Sequence, residues 1–144
     1  MISDVVSYFQ IDLLVRIIVA SLMGALIGLE RNVSNKEAGI RTHAIVALGS
    51  ALIMVISKYG FIDIADYDAS RIAAQVVSGI GFLGAGIIFV KKNDSVTGLT
   101  TAAGIWATSG IGMAIGSGLY FIGFFSTILI MFIQTTTHKW TNTA

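Results

Sequence analysis

The chain has 144 residues, of which 55% are hydrophobic and only 12% are charged. A soluble domain carries about 25% charged residues, so this composition excludes a water-soluble monomer and indicates a protein whose solvent is the lipid bilayer. The net charge of +1 gives no basic footprint for nucleic acid, and the absence of Cys excludes disulfides and Cys-ligated zinc. The length predicts a single domain over residues 1–144.

Apolar segments long enough to cross a bilayer recur along the chain. A spanning helix needs about 20 mainly apolar residues. The sequence predicts such spans at about residues 11–29, 43–60, 72–90, 99–116 and 119–135. We expect the first segment to be an uncleaved span rather than a signal peptide, because no Lys or Arg precedes it and Arg16 interrupts it. The predicted fold is therefore an all-α integral membrane protein, a five-helix transmembrane bundle.

The distribution of basic residues predicts the orientation of this bundle. One predicted side of the membrane holds Arg31, Lys36, Arg41, Lys91, Lys92 and Lys139. The other side holds only Lys58 and Arg71, apart from Arg16 inside the first span. Because Lys and Arg are enriched in cytoplasmic loops, we expect the N-terminus outside and the C-terminus in the cytoplasm.

Small residues recur at spacings that let membrane helices approach closely. In lipid there is little hydrophobic drive between helices, so close packing and hydrogen bonds must hold them together. The glycines of these ridges are Gly24, Gly28, Gly79, Gly81, Gly84, Gly86, Gly104, Gly112 and Gly116. Packing within one chain and a homodimer face both remain open as interpretations. Trp106 is expected to pack against the ridges, and the run from Gly79 to Gly86 also suggests a broken helix.

Polar residues near the predicted outer surface form two pairs with helical spacing. Asp12 and Arg16 are four residues apart, acid first, so we expect them to pair on one helix face. Arg71 and Gln75 have the same spacing in the third span, and Gln75 is predicted to face into the bundle. For this candidate outer site, a structural hydrogen bond and the lining of a ligand site both remain open.

The predicted cytoplasmic ends bring together a richer polar set. It comprises Glu30, Arg31, Arg41, Thr42, His43, Asp94, Thr100 and Thr101. One interpretation is a solvated interface in contact with anionic lipids. The other is a functional cluster, in which Glu30 or Asp94 pairs with Arg31 or Arg41 and ties the two inner loops together.

The sequence contains no recognisable catalytic signature, so we expect neither enzymatic activity nor a cofactor. Mg²⁺ is bound through one or two carboxylates and retains several waters. The carboxylates that allow a weak Mg²⁺ contact are Glu30, Glu37 and Asp94 inside and Asp63, Asp66 and Asp68 outside.

Four sequence blocks resemble the membrane domain of the MgtC/SapB family. They are GALIGLER (24–31), AGIRTHAIVALG (38–49), RIAAQVVSGIGFLGAG (71–86) and GLTTAAGIWATSGIG (98–112). The blocks occur in the family's order over about residues 12–135. The matching polar and aromatic positions are Glu30, Arg31, Arg41, Thr42, Arg71, Gln75, Thr100, Thr101 and Trp106.

The resemblance implies a multi-pass protein of the bacterial inner membrane, linked to low Mg²⁺, acid or virulence conditions. Founding members were called Mg²⁺ transport proteins, yet the family is generally regarded as regulating other membrane proteins, such as ATP synthase or ion-motive ATPases. Better-known members carry a soluble domain after the last span. We expect this chain to be a short member that lacks it, and no activity of that domain is carried over.

Two functions remain after these observations. The first is a small regulatory membrane protein, expected as a homo-oligomer with a dimer favoured, that binds a membrane partner such as an ATPase through its helix faces. The alternative is a transporter or channel for Mg²⁺ or another small ion, gated by Arg71 and Gln75 outside and the Glu30 cluster inside. Polarity in mid-membrane separates the two, and the residues that provide it are mainly Ser78, Thr108 and Ser109.

Overall fold

The computed structural model describes residues 2–64, 66–90 and 95–141. Over these residues the chain forms five helices, namely α1 (Ile2–Val33), α2 (Ile40–Tyr59), α3 (Ser70–Ile87), α4 (Leu99–Gly116) and α5 (Tyr120–Thr141). Between α3 and α4, the two-residue strands β1 (Phe89–Val90) and β2 (Val96–Thr97) pair antiparallel. The predicted all-helical fold with five helices is thus confirmed.

Three of the helices are long and apolar enough to cross a membrane by length and composition. They are the part of α1 over Phe9–Val33, α2, and α3. The apolar part of α5 covers Tyr120–Thr136, and α4 has 18 residues. Insertion of all five helices and the orientation of the termini remain predictions.

The helix boundaries differ from the predicted spans in two instructive places. α1 continues past Leu29 to Val33, because Glu30 and Arg31 are good helix formers and polarity alone does not end a helix. α3 ends at Ile87, short of the predicted residue 90, because the chain becomes extended there and enters β1. The interpretation of a broken helix at Gly79–Gly86 is wrong, since α3 is continuous across this run.

α4 lies at the centre of the bundle and contacts α1, α2, α3 and α5. Its closest approach is to α2, where a Cβ atom at Gly112 would overlap the carbonyl oxygen of Ala47. A Cβ atom at Gly24 of α1 would likewise overlap the carbonyl oxygen of His43. Glycine is therefore needed at both positions, and α1, α2 and α4 meet backbone against backbone.

α3 is attached to α2 by the buried hydroxyl of Ser57. This hydroxyl donates a hydrogen bond to the carbonyl of Ala69 and accepts one from the N–H of Ala73 at 3.2 Å. Both groups belong to the first turn of α3, so Ser57 fixes where that helix starts. Most of the remaining surface of α3 is uncovered, and Phe82 is 83% exposed.

Candidate functional site

A polar cluster at the predicted cytoplasmic end joins α1, the α1–α2 loop and α4. Arg31 is only 2% exposed, and its Nη2 donates to Oγ1 of Thr101 at 3.3 Å. The same hydroxyl donates to Oε2 of Glu37 at 3.1 Å. Arg31 Nη1 lies 3.7 Å from Oε2 of Glu30, whose Oε1 accepts from the Ser34 hydroxyl at 2.7 Å. The Glu30–Arg31 contact is one that the sequence predicted, whereas the link through Glu37 was missed.

Other residues of the predicted inner cluster lie apart from this network. Arg41 is exposed and Thr42 half-buried, and both line a separate polar cavity of about 470 Å³ beside Asn32. Thr100 is exposed at the start of α4. Asp94 lies outside the described residues. The structure therefore unites Glu30, Arg31 and Thr101, and it places the exposed members on the surface around them.

His43 lies deeper than the sequence suggested. Its side chain is fully buried, and Nδ1 is 2.8 Å from Oγ1 of Thr108 on α4. The Thr108 hydroxyl donates its single proton to the carbonyl of Gly104 at 2.8 Å. With the Thr108 proton directed at Gly104, Nδ1 of His43 is the donor to Thr108 and Nε2 is an acceptor. This nitrogen is buried and has no hydrogen-bond partner among the described residues.

The polar contacts continue one further step into the α2–α4 interface. The hydroxyl of Ser50 donates to that of Ser109 at 2.9 Å, and both side chains are buried. We call the set Arg31, Thr101, His43, Thr108, Ser50 and Ser109 the inner polar row. The sequence could have indicated this row, because the spacing of Thr101, Thr108 and Ser109 places them on one face of α4.

The inner polar row ends where the glycines of α4 pack directly against the backbone of α2. Beyond Ser109, α4 presents Gly112 to Ala47 and then Gly116, where a Cβ atom would lie 2.6 Å from the Ala51 carbonyl oxygen. We call this contact the glycine seam. Along the seam, which runs from Ser109 to the Gly116 carbonyl that accepts from Arg16, close backbone packing replaces side-chain contacts between α2 and α4.

A second polar cluster lies at the predicted outer end and is organised by Arg16. Its Nε is 2.9 Å and its Nη2 2.6 Å from Oδ2 of Asp12, so the predicted pair is confirmed. Nη1 also donates to the hydroxyl of Tyr59 at 2.9 Å and to the carbonyl of Gly116 at 3.4 Å. Arg16 therefore clamps α1, α2 and α4 together, a role that the sequence did not reveal.

The two residues of the candidate outer site, Arg71 and Gln75, both lie on the exposed surface of α3. The Arg71 side chain is 85% exposed, and its Nε lies 4.0 Å from Oδ2 of Asp68. Gln75 is exposed as well and lines a groove between α2 and α3. The prediction that Gln75 faces into the bundle is wrong, because α3 packs through its opposite face.

The predicted glycine ridges divide into closely packed and open positions. Five glycines leave no room for a Cβ atom unless a neighbour moves, namely Gly24, Gly28, Gly104, Gly112 and Gly116. A Cβ atom at Gly84 would lie 3.6 Å from the Cβ of Ala102, which is an ordinary contact. By contrast, Gly79, Gly81 and Gly86 have nothing within 4 Å.

Trp106 does not pack against the closely packed glycines of its own helix. It is 56% exposed and lines a shallow cavity of about 320 Å³ with Gly110. The expectation that Trp106 packs against the glycine ridges is therefore wrong within one chain, since Gly112 faces α2 and Gly104 faces Gln134 of α5 and His43 of α2.

Two carboxylates outside the helices, those of Glu37 and Asp68, accept hydrogen bonds that favour their ionised form. A hydrogen bond from its own backbone N–H and another from Thr101 lower the pKa of Glu37 below its ordinary value. The Ser70 hydroxyl and N–H similarly lower the pKa of Asp68. Among residues 2–64, 66–90 and 95–141, no three His, Asp or Glu side chains converge on a point that suits a metal ion.

Comparison with known proteins places these features in a family context. The sequence profile described as the MgtC family matches residues 17–143. The Escherichia coli K12 protein named "Putative magnesium transporter YhiD" is 46% identical over 135 residues, which cover 90% of this chain and 62% of that protein. Protein SapB of Bacillus subtilis is 39% identical over 129 residues, covering 86% and 56% of the two chains.

Protein MgtC of Brucella abortus is 44% identical over 115 residues, which cover 80% of this chain and 47% of that protein. The chain thus spans about half to three-fifths of the length of these curated relatives. No solved structure matches the chain significantly.

Proposed function

The chain belongs to the MgtC family, and from this membership we propose that it is a non-enzymatic protein of the bacterial inner membrane that regulates other membrane proteins in Mg²⁺ and ion homeostasis. In this proposal all five helices cross the bilayer, with the N-terminus outside and the C-terminus in the cytoplasm. The protein acts through its helix faces, as a homo-oligomer or with a different membrane protein.

The observation that carries the proposal is the glycine seam between the two polar clusters. The inner polar row and the Arg16 cluster lie at opposite ends of the bundle. Between them, Gly112 and Gly116 of α4 pack against the backbone of α2. A tight backbone contact of this kind leaves no room for a hydrated ion within one chain, which favours binding over conduction.

The uncovered helix surfaces support the same proposal. On α3, Gly81 and Gly86 are open and Phe82 is 83% exposed. Small residues on a lipid-facing helix allow another helix to approach closely. We therefore place the partner-binding surface on α3 rather than on the closely packed glycines of α1 and α4.

Site-specific photo-cross-linking in native membranes tests this proposal. A photoreactive residue at Gly81, on the open face of α3, should form adducts with a second copy or with another membrane protein. The same residue at exposed Leu22 of α1 serves as the matched control and should form fewer adducts. Recovery of monomer alone from Gly81 would refute the proposal.

A second function, transport of Mg²⁺ or another small ion by a homo-oligomer, is favoured by one specific observation. The inner polar row extends from Arg31 into the α2–α4 interface as far as Ser50 and Ser109. A relative also bears a magnesium transporter name. Sealed liposomes with a Mg²⁺ reporter and a membrane-potential dye separate the two functions. Flux above empty liposomes, abolished by Glu30→Ala, would establish transport; no flux from inserted protein supports the regulatory role.

A further inference from the structure

A long apolar groove runs between α2 and α3 on the outside of the bundle. Its volume is about 500 Å³. The α2 wall extends from Ile45 to Ile53 and the α3 wall from Ile72 to Leu83. Apart from Ser50, which is engaged with Ser109, the polar side chain in the lining is Gln75. Open glycines, Gly79 among them, keep the groove free of side chains.

The dimensions of the groove suit one extended hydrocarbon chain. At about 1.5 Å rise per residue, the α3 wall is about 16 Å long, which is close to the roughly 15 Å of hydrocarbon in one leaflet. The groove is open to the outside along this length, and its walls are apolar apart from Gln75 and Ser50, as contact with an acyl chain requires.

Opposite charges stand side by side at the predicted outer mouth of the groove. Arg71 lies one helical turn from Gln75, and its side chain is 85% exposed. Asp68 is next to it, with Oδ2 at 4.0 Å from the Arg71 Nε. Oδ1 of Asp68 already accepts from the N–H of Ser70 at 2.9 Å and from its hydroxyl at 2.6 Å. This arrangement fixes the carboxylate, and Oδ2, at 4.0 Å from Arg71, is beyond hydrogen-bond distance of that guanidinium and can still accept from a cationic donor.

We propose that the α2–α3 groove binds one phosphatidylethanolamine molecule of the outer leaflet. The phosphate pairs with Arg71 and the primary ammonium with Oδ2 of Asp68. One acyl chain fills the groove as far as Leu83, and the Gln75 amide donates to an ester carbonyl at its mouth. The inference rests on the membrane placement in the proposed function and adds a lipid ligand that this function does not require.

Three observations together favour this occupant. The groove has the length of a leaflet and an almost wholly apolar lining. Its mouth carries one positive and one negative charge, which is the pattern of a zwitterionic headgroup. An exposed amide within a spanning helix is costly in hydrocarbon, and a lipid ester gives it a hydrogen-bond partner.

Native mass spectrometry of the full chain released from detergent tests the proposal. The protein is mixed with equal amounts of phosphatidylethanolamine, phosphatidylcholine and phosphatidylglycerol of identical acyl chains. We expect phosphatidylethanolamine to be retained about fivefold better than phosphatidylcholine, because a quaternary ammonium cannot donate the hydrogen bond to Asp68. Asp68→Asn should remove this preference. Arg71→Gln should lower retention by about fivefold, and Arg41→Gln, at the opposite end, should leave it unchanged.

A matched pair of glycine variants tests the groove itself. Gly79 and Gly81 both have open space for a side chain, but only Gly79 lines the groove. Gly79→Leu should abolish lipid retention, and Gly81→Leu should preserve it. Equal retention in the two variants, or equal retention of the three lipids, would overturn the proposal. A dimer lost only in Gly79→Leu would also overturn it, because a second copy would then occupy the groove.

The membrane placement is checked separately by flotation of carbonate-washed vesicles. Failure to float would contradict the proposed function and this inference together. Protein that floats and cross-links through Gly81 but retains no lipid would contradict the lipid site alone.

Discussion

His43 of α2 and Thr108 of α4, 65 positions apart, meet at 2.8 Å inside the bundle. The Thr108 hydroxyl donates a hydrogen bond to the Gly104 carbonyl on its own helix. In this arrangement the imidazole donates through Nδ1, and its Nε2 is buried without a hydrogen-bond partner among the described residues. One hydrogen bond thus couples the two central helices and sets the chemistry of the most buried ionisable side chain in the inner polar row.

Removal of this hydroxyl should destabilise the protein. Thr108→Val leaves the Nδ1–H of His43 without an acceptor in a buried site, which costs about 1–3 kcal/mol. Thr100→Val, on the exposed side of the same helix, is the matched control and should change little. Urea unfolding in detergent micelles measures both variants. Equal stability of the two would show that the His43–Thr108 bond contributes nothing.

The two arginines near the cytoplasmic end should differ sharply on substitution. Arg31 is 2% exposed and holds Thr101 and Glu30, whereas Arg41 is exposed. Arg31→Gln leaves Glu30 buried beside a neutral amide and should cost about 3 kcal/mol. Arg41→Gln should cost less than about 0.5 kcal/mol. Thermal unfolding of the two variants in the same detergent compares them, and a larger loss for Arg41→Gln would contradict the geometry.

Local polar contacts were predictable from the sequence, and contacts between distant segments were not. Asp12 and Arg16 are four residues apart on one helix, so spacing alone predicts their pair. The links from Arg16 to Tyr59 and from His43 to Thr108 depend on which helix faces meet. In a membrane protein the lipid-facing side of a helix is as apolar as the packed side, so the pattern does not reveal this face.

The same ambiguity explains the errors on Gln75 and Trp106. A polar or aromatic residue in an apolar helix was expected to face inward, because exposure to hydrocarbon costs an amide its hydrogen bonds. α3 instead packs through Ala73, Val76, Ile80 and Gly84, and Gln75 is left at the groove. The density of glycine predicted close packing correctly for α1 and α4, while three of the glycines on α3 are open.

Substitution of the glycine seam should separate internal packing from partner binding. Gly112→Ala places a methyl group against the Ala47 carbonyl, and overpacking of this kind costs about 1–3 kcal/mol. Gly110→Ala, on the same helix with open space around it, should be neutral or stabilise by up to about 1 kcal/mol. Chemical unfolding in detergent measures the two. A stable Gly112→Ala variant would mean that α2 and α4 are farther apart than the structure shows.

The loop carboxylate Glu37 should make stability depend on pH. Hydrogen bonds from its own N–H and from Thr101 lower its folded pKa below the ordinary 4.5, so the unfolded chain takes up a proton first as the pH falls. The contribution of Glu37 to the free energy of unfolding is therefore fully present above about pH 4.5, and it disappears as the pH drops through the lower folded pKa. Tm measured in detergent from neutral to acidic pH should fall in this window. Glu37→Gln should remove that part of the decline, while Glu37→Asp should keep some of it. A wild-type curve identical in shape to that of Glu37→Gln would show that the Thr101–Glu37 bond does not favour the ionised carboxylate.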